Sequence, residues 1–463
     1  MIDQKRENLL NLALAATEVE RRRVPELSAG YNSYSKTWEV IVQYQGDLAF
    51  LEGQGVRVTL LLFSYAILLV PESLMDYVTG LPQITYLEKP KLLYFADAFV
   101  RSISCITPVQ EGVMGLSGNG VLLACIDSGV DYAHPDFCAP DGTSRIAILW
   151  DQTIPGNPPM GYALGSVYTR QQINEALASS TPEERFALVP SRDVTGHGTA
   201  VLGIAAGNGR SSADAAMRGV APEATLVVVK LGNPDPADLP RTSQLLQAVD
   251  FCVRYALLVE RPLVTNLSFG NNYGSHSGDS LLETYLNAVS NLGQNVICIG
   301  AGNEGDTGRH YAGNLKSDRK SSGQTQTVRA TSDPAATSAV SATADRAVSV
   351  EFQVGAYESS FSLQIWKVYG DEISIELISP GGIRSGTLSP VLGTARLTLG
   401  PTELLLFMAC HPLQPGAGNL PDLSGAGNHL SVENGIWTLR LTPGRLISGS
   451  FDLLASRPET PSV

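Results

Sequence analysis

Apolar residues in this chain fall in short runs whose spacing changes from one region to the next. In TWEVIVQYQGDLAFLEGQG, Trp38, Val40, Val42 and Tyr44 alternate with their neighbours at the period of a strand. VRVTLLLFSYAILLVP continues as paired strands, SLMDYVTGL as a helix and ITYLEKPKLLYF as a further strand. The opening MIDQKRENLLNLALAATEVERRR has an apolar stretch interrupted by Asn11 and flanked by mixed charges, which suits an amphipathic helix. Residues 1–97 thus predict a small α+β unit.

Over residues 98–340 the pattern alternates between β runs (VLLACID, TLVVVKL, LVTNLSFG, NVICIGAGN) and helical stretches over 199–206, 243–259 and 280–292. Such alternation predicts an α/β domain, a parallel sheet with helices on both faces and its chemistry at the carboxyl edge. A polar stretch over 316–338 reads as an exposed connector. Beyond it, VSVEFQVGA, SSFSLQIWKV, ISIELISP, ARLTLG, ELLLFMAC, GIWTLRLTP and GSFDLLA are short strands parted by turn residues. They predict an all-β sandwich or jelly roll over residues 341–463.

Composition narrows the functions. With 463 residues and 43% apolar content, several packed cores are expected. A formal charge of −13 gives a surface that repels phosphate backbones and anionic lipid heads, so no nucleic-acid partner is expected. The longest apolar run, Val56 to Val70, contains Arg57, Thr59, Ser64 and Tyr65 and is shorter than the ~18 residues of a membrane span. The charged N-terminus does not read as a signal peptide, so a soluble protein inside the cell is expected. Six cysteines (Cys105, Cys125, Cys138, Cys252, Cys298, Cys410) show no C-x-x-C spacing, and several sit in strand-like apolar runs. Buried reduced thiols are expected rather than disulfides or a zinc site.

Three segments of the α/β region carry candidate chemistry. VLLACIDSGVDYAHPDF delivers Asp127 to the end of an apolar strand, where Ser128 and Gly129 permit a sharp turn. VTGHGTAVLGIAAG places His197 between Gly196 and Gly198 at the start of a helix of small residues, and VICIGAGNEG ends a strand on Asn303. A hydroxyl attacks an amide only when an imidazole takes its proton, and that imidazole needs a buried carboxylate on its other nitrogen. A carboxamide on a glycine-flanked loop suits the oxyanion that follows. Taken singly, Asp127 and Asn303 could each be turn residues. His197 could be a cap, but Val201 at i+4 does not complete a metal-binding helix pair.

Together and in this order, Asp127-Ser128-Gly129, Gly196-His197-Gly198-Thr199 and Ala301-Gly302-Asn303 resemble the subtilase family of serine endopeptidases. The resemblance implies Asp127, His197 and Asn303 as catalytic residues. It also implies that Leu267, Ser268, Phe269 and Gly270 pair with a polypeptide substrate, with Leu231, Gly232 and Asn233 at another cleft edge. Phe269 could narrow the specificity pocket or belong to the core. The N-terminal unit resembles a subtilase prodomain, whose tail occupies the cleft, with processing around 94–101. No cofactor is implied, and a structural calcium is left open. GYNSYSKTWEVIVQYQGDL, DGTSRIAILWDQT and the β-sandwich after the asparagine motif are similar to the clostridial spore-germination subtilases, the Csp group. That resemblance implies limited proteolysis of a zymogen and a cytoplasmic or spore location.

The family's G-T-S-x-A-x-P motif is not found in these 463 residues. Gly142 to Ser144 runs into RIAILW and reads as a turn, while Ser448 and Ser450 sit in strand-like text. One expectation is a partial copy of an active endopeptidase, which is preferred because Asp127, His197 and Asn303 all stand. The other is a pseudoprotease that acts as a binding or regulatory module. A carbohydrate- or protein-binding role for the sandwich would need exposed aromatic rows, but Phe352, Phe361, Trp366 and Trp437 fit core positions.

Overall fold

The computed structural model describes residues 5–92, 94–95, 106–111, 114–212, 217–232, 239–305, 307–316, 328–329, 341–342, 347–356, 358, 360–389, 393–408, 417–427 and 432–456. Its centre is a six-stranded sheet of β1 (Leu122–Asp127), β2 (Ile146–Asp151), β3 (Ser166–Thr169), β4 (Thr225–Lys230), β5 (Leu263–Leu267) and β6 (Asn295–Ile299). The order is β6-β5-β1-β4-β2-β3, parallel except for the β2–β3 pair. β1 lies between β4 and β5, so the winding reverses there and the carboxyl end of β1 opens into a crevice.

Helices cover both faces, as the alternation predicts. Helix α1 (His197–Ala206) lies over Leu123, Cys125, Leu226 and Val228, while α2 (Thr242–Leu258) and α3 (Leu281–Ser290) pack on Leu122, Ala124, Ile126, Val227 and Val229. α1 comes close to the sheet because it is built from small residues. A Cβ on Gly198 would collide with the Gly129 carbonyl oxygen. α3 begins at a capping box in which Ser280 and Glu283 satisfy each other's backbone N–H groups, at 3.3 and 3.0 Å.

The N-terminal unit is an antiparallel sheet of Thr37–Tyr44, Arg57–Leu60, Tyr65–Pro71 and Ile84–Glu88, with short helices over Asn8–Ala15 and Glu18–Arg23 on one face. The opening helix breaks at Ala16 because Thr17 starts a new one with its own capping box. Trp38, Val40 and Val42 face those helices. The opposite face is buried too, since Ile41, Tyr65, Ile67 and Tyr86 join the core of α2 and α3. Buried Asp250 of α2 anchors the junction, accepting hydrogen bonds from Leu62 N–H (3.0 Å), Tyr162 (2.7 Å), Tyr285 (2.8 Å) and Arg254 (2.7 Å).

The C-terminal part is two sheets around a shared core that includes Val350, Phe352, Phe361, Leu377, Trp437 and Leu453. Its six-stranded sheet takes in His310–Asn314, paired with Ser450–Ser456, so this part includes a strand ahead of residue 341. Only Tyr311 of that strand enters the core, which is why HYAGN carries no alternating signal. Trp366 is half-buried, unlike the other three aromatic residues expected inside. Leu405 and Phe407 pack against the N-terminal unit, where Arg396 also pairs with Glu20 at 3.0 Å. No helix among the described residues is long and apolar enough to cross a membrane.

Cys125, Cys138 and Cys252 are buried free thiols, but Cys298 is exposed, which corrects the expectation for that strand. Its side chain lies on the sheet face that α2 and α3 do not cover. Cys105 and Cys410, most of the 316–338 connector, and residues 96–101 of the expected processing region lie outside the described residues.

Candidate active site

Asp127 ends β1 with 1% of its surface exposed. Its Oδ1 accepts from the Ser128 N–H at 2.7 Å and meets His197 Nδ1 at 2.7 Å. Oδ2 is buried without a hydrogen-bond partner among the described residues. Burial pushes the Asp127 carboxyl above its ordinary value, against the downward pull of the His197 and Ser128 contacts. An ionised Asp127 makes Nδ1 the donor, which leaves the basic lone pair on Nε2.

His197 is the first residue of α1, and Gly196 ahead of it has φ 78°, a left-handed turn that glycine makes without strain. The Gly198 N–H donates to Ser128 Oγ at 2.9 Å, so the turn after β1 and the first turn of α1 are joined directly. Asp131 and Asp136 shape the adjoining loop. Asp131 accepts from Ala133 N–H at 3.1 Å, and Asp136 from Ser211 N–H at 2.7 Å.

Asn303 follows β6 on a loop where Gly302 has φ 87°. It is exposed on the rim of an apolar groove of about 780 Å³, lined by Leu123, Val201, Ile204, Val264 and Cys298 among others. One wall of that groove is α1, so the structure gathers the histidine helix and the asparagine loop around one depression.

The expected substrate-binding residues separate into two kinds. Leu267 and Phe269 are 2% and 5% exposed and belong to the core. Ser268 lines the groove, and the Phe269–Gly270 backbone pairs antiparallel with Tyr94–Phe95 from the end of the N-terminal unit. On the other side Leu231 is fully buried and its N–H donates to the Asp127 carbonyl at 3.0 Å, next to buried Gly232. Asn233 lies outside the described residues. One residue missed in the sequence is Asp193, whose carboxylate joins both motif loops. Its signal was an acid four positions before His197 in RDVTGHGT.

Residues 118–436 match the family model described as the subtilase family. The chain belongs to the subtilase family. Residues 4–91 match the model described as the Csp protease B prodomain, so the N-terminal unit packed on α2 and α3 is a subtilase prodomain. Among solved structures, the Clostridium perfringens CspB protease is similar over 77% of this chain and 65% of its own, at 26% identity and a TM-score of 0.63. Subtilisin E of Bacillus subtilis (strain 168) is 26% identical over 228 residues, 49% of this chain and 46% of its own length. The PI-type proteinase of Lactococcus lactis subsp. cremoris is 26% identical over 259 residues, 53% of this chain and 12% of its own. This subtilase chain thus spans less than half the length of either curated relative.

Proposed function

We propose that the site belongs to a serine endopeptidase in which His197 is general base and then acid, Asp127 holds its tautomer, and Asn303 donates to the oxyanion. The observation that carries this is the buried 2.7 Å contact between Asp127 Oδ1 and His197 Nδ1, at the carboxyl end of a central parallel strand. The nucleophile in this reading is the serine of a G-T-S-x-A-x-P segment whose helix lies in the apolar groove between α1 and the Asn303 loop. The substrate is a polypeptide that adds to the Phe269–Gly270 edge, where Tyr94–Phe95 of the prodomain now pairs. Limited proteolysis of a zymogen, inside a cell or spore, is the role to test first. The proposed reaction uses protein groups and one water, which His197 activates to release the acyl group from the serine.

The test is labelling by a fluorophosphonate probe. Residues 1–463 alone are expected to remain unlabelled, whereas the same chain carrying a G-T-S-x-A-x-P segment labels at its serine and loses labelling on His197→Ala. Labelling of 1–463 alone would place the nucleophile elsewhere. A folded, extended chain that never labels would favour a binding module over an enzyme.

A further inference from the structure

Asp193 lies in the loop between Ser191 and α1. Its Oδ1 accepts from Ser128 Oγ–H at 2.8 Å, Thr195 Oγ–H at 3.1 Å and Gly196 N–H at 3.0 Å. Its Oδ2 accepts from Thr199 N–H at 2.8 Å and Thr199 Oγ–H at 2.7 Å. Ser128 in turn receives Gly198 N–H, and Thr199 Oγ receives Asp131 N–H, each at 2.9 Å. One carboxylate therefore ties together the turn after Asp127, the 191–196 loop and the first turn of the helix that carries His197.

The residue types explain the arrangement. Gly196 at the helix N-cap has no side chain to satisfy the first N–H groups, so a carboxylate three residues upstream does so and also sits at the positive end of the helix dipole. Burial raises the Asp193 carboxyl, but the hydrogen bonds from Thr199, Ser128 and Gly196 outweigh it and hold the group below its ordinary value. It is therefore charged at neutral pH. The imidazole hangs from the first residue of α1, so its place against Asp127 depends on how that turn is fixed to the loop after β1.

We propose that Asp193 is a positioning residue of the catalytic pair: through Ser128 and Thr199 it holds the first turn of α1 so that His197 Nδ1 stays on Asp127 Oδ1. The proposal rests on the roles given above to Asp127 and His197. Asp193 touches neither reacting atom in this reading, and acts by removing freedom from the histidine. Lys230 Nζ donates to the Arg192 carbonyl at 2.7 Å, and the Arg192 guanidinium lies 3.8 Å over the Phe186 ring.

The experiment is NMR of residues 1–463 labelled with ¹⁵N-histidine, reading the low-field proton of the His197 Nδ1–H···Asp127 bond, its exchange with water and the imidazole pKa. In the wild type the proton is expected to be visible and protected. Asp193→Ala should speed its exchange by about tenfold or more, and Asp193→Asn should lie between the two. Both should lower the imidazole pKa by on the order of half a unit, because a nearby negative charge is gone. Asp131→Asn, which removes a charge outside the clamp, should leave the protected proton in place. If Asp193→Ala does not fold, Thr199→Val and Ser128→Ala each remove one donor and should give intermediate exchange. The proposal is overturned if these variants fold and keep wild-type exchange and pKa. A wild type without the low-field proton would instead refute the Asp127–His197 pairing itself.

Discussion

The two faces of the central sheet differ most at β5. On the side toward α2 and α3, Leu263, Thr265 and Leu267 are 1%, 1% and 2% exposed. On the side toward the groove, Val264 and Asn266 are only half-buried, and their neighbours Val296 and Cys298 on β6 are exposed. Both sets come from the same apolar strands. The difference lies in the layer above: α2 and α3 span their face across to β6, whereas α1 reaches only the β1–β4 part of the other. The catalytic candidates divide along the same line. Asp127 and His197 sit in the enclosed part beneath α1, and Asn303 stands at the rim of the open part.

The enclosed and open parts should differ most in catalysis, in a chain that carries the G-T-S-x-A-x-P segment. His197→Ala is expected to cost on the order of 10⁴-fold or more in kcat, because the general base is lost. Asn303→Ala should cost about 10² to 10³-fold, the loss of one oxyanion donor. Equal effects would mean that the asparagine loop is as tightly built as the enclosed pair.

Thiol chemistry reads the same division without catalysis. Cys298 should react with a maleimide roughly a thousandfold faster than Cys125 or Cys252, which react only through opening of the fold. Burial also pushes the thiols of Cys125 and Cys252 upward, so thiolate is scarce there. Mass mapping of the labelled cysteines checks this. If Cys298 is as slow as the other two, its face is covered in solution.

Stability gives a smaller contrast. Ile126→Ala removes a fully buried side chain facing α2 and α3 and should cost about 2–5 kcal/mol in urea unfolding. Val264→Ala, on the groove side, should cost about 1 kcal/mol or less. Similar costs would show that both faces are packed alike.

Much of this was legible in the sequence for physical reasons that also explain what was not. The strands ending at Asp127 and before Asn303, and the helix starting at His197, were marked by apolar runs that stop at small turn residues. Those runs show that a strand is built for burial on both faces, but not which layer reaches it, so Cys298 was expected inside. The alternation at Trp38, Val40 and Val42 marked one face of the prodomain sheet. Burial of Ile41 and Glu39 on the other depends on α2 and its flank, where Glu39 meets Arg241 at 3.1 Å across some two hundred positions of sequence. Asp193 escapes the sequence pattern because it works by bridging two separate motifs, bonding to Ser128 in one and to Gly196 and Thr199 in the other, and that proximity exists only in the fold.

The covered face has its own cover, since α2 and α3 are themselves overlain by the prodomain. Lys89 is fully buried beside that seam, with its Nζ donating to the carbonyls of Glu26 and Pro90 and, among the described residues, no carboxylate in contact. Burial is the main cause that holds its ammonium down to about 8, with Glu7 opposing and Lys91 adding to the fall. A base whose folded pKa is depressed makes the unfolded chain bind more protons between that value and about 10.4, so stability rises with pH across that window. In urea unfolding from pH 7.5 to 9.5, wild type should gain about 2 kcal/mol relative to Lys89→Met, on top of the loss that the buried thiols of Cys125, Cys138 and Cys252 bring to both as the unfolded cysteines ionise. Lys91 does not oppose it in this range, because its neighbours Glu7 and Glu88 raise its value further. Tyr86, raised by burial, weakens the fold only above about pH 10, where the unfolded side chain ionises. The same pH dependence in wild type and Lys89→Met would mean that the folded chain hydrates its lysine, and that the cover over α2 and α3 is less enclosed than their buried contacts with the sheet imply.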